Sequence, residues 1–181
     1  MKEQYYYLIS TLPSLSLNEE LPIRKCDFLS ACKENLKTTD FKMLRSVDLF
    51  EIEQGKAPFD IIRSFYCWES GVRNALVRLR AERFGFNPEE FLRCEIFDHS
   101  QMLLAEEAFN ADSPLMAEDI LNKARWEYLD ELEFGYYFDI EILVIFFIKL
   151  QILERISLFD AVKGQEKLNA FVTQGAPDTD E

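Results

Sequence analysis

The residues with the most chemical potential in this chain are acidic. Glu127, Asp130, Glu131 and Glu133 crowd one short stretch, and the single histidine, His99, follows Glu95 by four positions. Paired carboxylates can serve acid–base chemistry, and a four-residue spacing puts Glu95 and His99 on one helical face. Neither set completes a site. Carboxylate-bridged di-iron bundles draw Glu-x-x-His pairs from two helices, and one histidine cannot supply two pairs. No serine or cysteine stands in a nucleophile signature. Cys26, Cys32, Cys67 and Cys94 form no C-x-x-C pair, so zinc is poorly supplied with ligands as well. We read the acidic stretch as a solvated face, or as a shelf for arginine from a neighbouring helix.

Basic residues concentrate in one place. Arg73, Arg78, Arg80 and Arg83 make the segment after Trp68 the most cationic part of the chain, and Glu69 stands one turn before Arg73. Phosphate binding would suit such a cluster, but no Gly-rich phosphate loop accompanies it. Arg73 is expected instead to meet a carboxylate such as Asp130 or Glu154. Lys149, Gln151, Glu154 and Arg155 interrupt the most apolar segment of the chain. Polar groups in a buried element must be paired or must meet a partner protein. This makes them the best candidates for an interface. Trp68 and Trp126 each fall in an apolar helical stripe and are expected in the core.

The formal net charge of −13 leaves no cationic footprint for nucleic acid or for an anionic membrane. The longest apolar run, Ile142 to Ile148, is far short of the roughly 20 residues needed to cross a bilayer. The opening residues lack the apolar core of a secretory signal. The expectation is a soluble cytoplasmic protein with reduced thiols, peripheral to a membrane only through a partner. No cofactor, metal or small-molecule ligand is expected.

The elements that would carry these residues are helices. Glycine and proline number only six each, while 48% of the chain is hydrophobic, so long helices with a substantial core are expected. Tyr5 to Ile9 is aromatic and β-prone, and reads as an extended segment or a short edge strand ahead of a loop from Ser14 to Arg24. A first helix begins near Asp27. A second follows Thr39-Asp40 and ends near Gln54-Gly55. Pro58 sits in the first turn of a long third helix that stops at Gly85. Asn87-Pro88-Glu89-Glu90 opens a fourth, running through Phe109. Ser113-Pro114 opens a fifth, ended by Gly135. The sixth runs from Asp139 to Lys163-Gly164. It is apolar on nearly every side between Ile140 and Leu153, which places it at the centre of a bundle. A short last helix, EKLNAF, precedes a disordered tail over 174–181.

The expected architecture is an all-α, elongated bundle of six to seven helices with an extended N-terminal segment, forming one domain over 1–173. Aligning Phe65 with Phe147 also superposes Arg73 on Arg155 and Leu76 on Leu158, so a division into two related units, 1–86 and 87–173, stands beside the single-domain reading.

Four strings carry a resemblance: YYYLISTLPSLSL, WESGVRNALVRLRAERFG, ARWEYLDELEF and YYFDIEILVIFFIKLQILERISLFDAVKGQEKLNAF. Together they resemble a bacterial family of unknown function encoded within V-type (A/V-type) ATPase operons, as in spirochaetes, chlamydiae and Bacteroidetes. The most specific matches are RW-x-x-LDEL, which contains Trp126, Asp130 and Glu131, and KLQILER. The family looks like a stand-in for the central-stalk funnel of these ATPases, a protein of repeated helical units seated on the proteolipid ring that receives the foot of the central shaft. Arg73-Asn74 and the Lys149-to-Arg155 segment are loosely similar to a signature of that funnel, KE-x-E-x-x-N-x-R. At 181 residues the chain has room for about two such units rather than three. The resemblance implies a non-catalytic coupling or assembly role, with V/A-type ATPase shaft and proteolipid-ring proteins as partners. A free-standing helical adaptor and a hydrolytic enzyme using the acidic stretch and His99 are the alternatives.

Overall fold

The computed structural model describes residues 5–17, 19–49, 57–92 and 98–158. Over these the chain is all-α, with no strand among the described residues. In order, the helices are α1 (Tyr6–Thr11), α2 (Lys25–Asn35), α3 (Thr38–Arg45), α4 (Asp60–Phe84), α5 (His99–Phe109), α6 (Pro114–Glu133) and α7 (Ile140–Leu158).

The centre is α7, as its all-round apolarity predicts. Ten of its residues are buried, from Leu143 to Leu153. Around them gathers the larger core: Phe28 and Cys32 from α2, Leu44 from α3, Ile62 and Phe65 from α4, and Leu129 from α6. Phe28 stacks on Phe147 at 5.6 Å. A smaller cluster joins Val72, Ala75 and Leu76 of α4 to Ala105 and Ala108 of α5 and Leu121 of α6. Both cores therefore draw on α4 and α6.

Several elements differ from expectation. Residues 6–11, expected to be extended, form a helix: the Ser10 hydroxyl and the Ile9 N–H close local turns, and Leu8 is buried. Tyr5 N–H donates to Phe138 O at 2.7 Å, so packing on the α6–α7 corner overrides the β propensity of the tyrosines. Pro58 lies outside the helix it was expected to open, because α4 begins at Asp60 after an extended Phe59. The expected helix through Pro88 is a three-residue 3₁₀ turn, Pro88–Glu90, capped by Asn87. The α-helix starts afresh at His99, where Asp98 and Gln101 form a reciprocal capping box: the Asp98 side chain takes helix N–H groups, and Asp98 N–H donates to Gln101 Oε1 at 2.9 Å. That cap was legible as D-x-x-Q. The expected helix ends and the EKLNAF helix beyond Leu158, the tail, and the Gln54-Gly55 boundary lie outside the described residues, as does Glu95.

The helix starts and stops read from Ser113-Pro114, Gly85 and Gly135 hold. Ser113 Oγ accepts the Met116 N–H at 3.2 Å. Gly85 takes the left-handed conformation, φ 73°, that ends α4.

The two long outer helices run antiparallel. Trp68 of α4 faces Tyr128 of α6, while Leu76 packs near Leu121. Gly71 lets α5 approach α4: a Cβ there would lie 2.1 Å from Gln101 Oε1. The Gln101 amide uses that space to donate to Trp68 O at 3.4 Å.

Candidate functional site

Among the described residues the buried charges form two sets. The first is centred on Glu69, only 1% exposed at the middle of α4. Arg125 of α6 grips both its oxygens, Nε to Oε2 and Nη2 to Oε1, each at 3.0 Å. Arg73 adds a third bond, Nε to Oε1 at 2.9 Å. The remaining Arg125 nitrogen, Nη1, reaches Glu118 at 3.0 Å and Asn122 at 2.8 Å. Glu118 in turn lies 3.2 Å from Arg155 Nε on α7. The result is an alternating ladder, Arg73–Glu69–Arg125–Glu118–Arg155, across α4, α6 and α7. Burial, the largest single influence, pulls the Arg125 pKa down. The coulombic and hydrogen-bond contributions of Glu69 and Glu118 together outweigh it and hold the guanidinium above its ordinary value.

Arg73 thus meets Glu69, one turn away, rather than Asp130 or Glu154. Those two carboxylates are engaged elsewhere. Lys149, on the buried helix, reaches out to Asp130 at 2.7 Å and Glu133 at 2.6 Å, with its ammonium 5.5 Å from the Trp126 ring centre. Glu154 accepts the Lys25 backbone N–H at 2.9 Å, at the start of α2. Gln151 clamps a backbone segment from both sides, accepting from Leu49 N–H at 3.0 Å and donating to Val47 O at 3.2 Å. The acidic shelf serves a lysine, where an arginine was expected. The polar side chains of α7 are engaged within the fold, so they mark internal joints.

Trp126 and Asn74 are buried. Trp68 is only half-buried and stacks on Tyr128, ring centres 4.8 Å apart and 10° from parallel. Glu131 is exposed beside them. Sequence reasoning missed Arg125, although it lies inside the RW-x-x-LDEL string. The available signal was its spacing: Arg125 falls in register with Leu121 and Leu129, on the buried stripe of α6.

His99 is exposed at the first turn of α5. Among the described residues no group of three or more His, Cys, Asp or Glu is arranged to hold a metal ion. No helix among them is long and apolar enough to cross a membrane.

Two features face outward. Exposed aromatic residues collect at opposite ends of the bundle. Phe134 (90% exposed), Tyr137 and Tyr7 lie where α6 turns into α7 over α1, while Phe84 closes the far end of α4 and Phe91 lies just past it. Between them, α4, α5 and α6 border a groove of about 560 Å³ that includes Trp68 and Tyr128.

A family model described as a protein of unknown function, DUF2764, matches residues 95–174, which takes in α5, α6 and α7 and less than half of the chain. No curated protein and no solved structure matches.

Proposed function

We propose that this chain is a non-catalytic coupling or assembly component of a bacterial V/A-type rotary ATPase, a short central-stalk protein that joins the shaft to the proteolipid ring by protein–protein contacts. The observation that carries this reading is the pair of exposed aromatic ends. The antiparallel packing of α4 and α6 puts Phe84 and Phe134 at opposite ends of a helix of 25 residues, a span of about 36 Å. Monomeric proteins rarely expose large contiguous apolar patches, and aromatic residues are enriched where proteins bind each other. A body with exposed aromatic residues at each end suits a spacer between two partners. The resemblance of ARWEYLDELEF and KLQILER, which fall in α6 and α7, to the family encoded in ATPase operons adds support.

The test is recovery of a tagged copy from its native cell in mild detergent, with the bound proteins identified by mass spectrometry. Near-stoichiometric shaft and proteolipid proteins are expected. Recovery of the chain without any ATPase component overturns the proposal and turns attention to the free-standing adaptor reading.

A further inference from the structure

We propose that the groove between α4, α5 and α6 is a docking site for an arginine-bearing segment of a partner protein. This deepens the reading above and rests on it for the claim that the chain works by protein contact.

One face of α6 builds the groove wall. Ala124, Glu127, Tyr128 and Glu131 recur at the spacing of a single helical stripe. The small side chain of Ala124 leaves depth, and Tyr128 stacked on Trp68 supplies an aromatic surface. Asp98, at the entry of α5, lies across from them.

Most other carboxylates of α6 face a cation within the fold, with Asp119 at the exposed start of the helix the exception. Glu118 is paired with Arg125 and Arg155, and Asp130 and Glu133 share Lys149. Glu127 has only Lys123, one turn back at 3.9 Å with both side chains more than 60% exposed, a geometry worth little in water. Glu131 has no ion-pair partner among the described residues. The Tyr128 pKa is raised, by burial first, with further contributions from the neighbouring Cys67 and Glu131. Two unneutralised carboxylates beside a stacked aromatic pair are complementary to a cation. A guanidinium fits best, because it is planar, stacks on aromatic faces and pairs bidentately with carboxylates. Nucleic acid would be repelled by the same charges.

The probe is a short amidated peptide of alternating arginine and leucine, titrated calorimetrically at physiological salt, with a glutamate-for-arginine counterpart. The wild-type chain is expected to bind the first and not the second. E127Q/E131Q, which removes the charge, should weaken binding about tenfold, and Y128L, which keeps it, severalfold. E106Q/E107Q, on the exposed side of α5, changes the net charge equally and should alter binding less than about twofold. Far-ultraviolet circular dichroism confirms that each variant folds. Equal weakening in E106Q/E107Q and E127Q/E131Q, an unaffected Y128L, or no binding of the arginine peptide overturns the proposal. The native-cell recovery separates the two claims. ATPase components retained in full by E127Q/E131Q would sink the groove and leave the coupling role standing. The expected peptide results, with no ATPase component recovered by the wild type, would do the reverse.

Discussion

Replacing Arg125 with methionine should be among the most damaging single changes in the molecule. The substitution keeps most of the side-chain length and removes every hydrogen bond Arg125 makes. Glu69, 1% exposed, would be left with Arg73 alone, and Glu118 with Arg155 alone. Removing one partner of a buried ion pair costs about 3–5 kcal/mol, because a charge stays behind in a low-dielectric site. Arg73 remains on Glu69 and partly screens it, so the low end, about 3 kcal/mol, is expected. For a chain of this size that is a fall of roughly 6–12 °C in Tm. Glu69→Leu should cost a similar amount by stranding the Arg125 guanidinium, which would keep only Glu118 and Asn122. The double variant removes both buried groups and should be more stable than the sum of the single losses predicts, by about 2 kcal/mol. Urea unfolding followed by circular dichroism on the four proteins gives the cycle. Additivity within about 0.5 kcal/mol, or a loss below about 1 kcal/mol for Arg125→Met, would refute the reasoning.

Gly71→Ala should gain helix propensity of about 1 kcal/mol, yet lose about 2–3 kcal/mol from overpacking and from the displaced Gln101 bonds. The net loss should largely vanish in G71A/Q101A, where the obstructing amide is gone; thermal melts decide it. Gln151→Leu should cost about 2 kcal/mol, because Leu49 N–H and Val47 O lose their shared partner, and hydrogen exchange at Leu49 should quicken. Cys26 and Cys67 are exposed and should react with a thiol reagent in the folded chain. Cys32, fully buried with its pKa pushed up to about 12 by desolvation, should react only on unfolding. The sign of the linkage follows: the raised pKa favours the folded state below pH 9.0, the thiol's ordinary value, and that contribution is lost between there and about 12, so stability measured by urea midpoint should fall over this window. Phe134→Ser with Tyr137→Ser should leave Tm nearly unchanged, since both rings are mostly exposed, while reducing recovery of partner proteins.

How far these features could be read in advance depended on whether their cause was local. The apolar run from Ile140 and the Ser113-Pro114 and Gly85 signals act within a few residues, and α7, α6 and the end of α4 appear where they point. Tyr5 to Ile9 failed because its conformation is decided by Phe138, more than a hundred residues away. The helix expected from Pro88 failed because its start signal competed with a second, stronger one at Asp98. The side chains of α7 were identified as needing partners, and they have them. Which partners was not legible, since Lys149 with Glu133 and Gln151 with Leu49 depend on the angles at which helices cross. Arg125 was hidden for the same reason: a charged residue in an apolar stripe looks like an interruption until the facing carboxylate is known.

The ladder from Arg73 to Arg155 also bears on how the molecule carries a load. Packed apolar helices can slip past one another by a turn, about 5.4 Å, because one leucine replaces another at little cost. Here a one-turn slip of α6 against α4 would bring Leu121 or Leu129 opposite Glu69 in place of Arg125. A buried carboxylate would lose its fork, at a cost of several kcal/mol. Lys149 and Arg155 pin α7 to α6 in the same way. Force applied along the bundle axis therefore meets resistance to shear at its centre, and the helices should move as one stiff body while the corners outside the ladder absorb the strain.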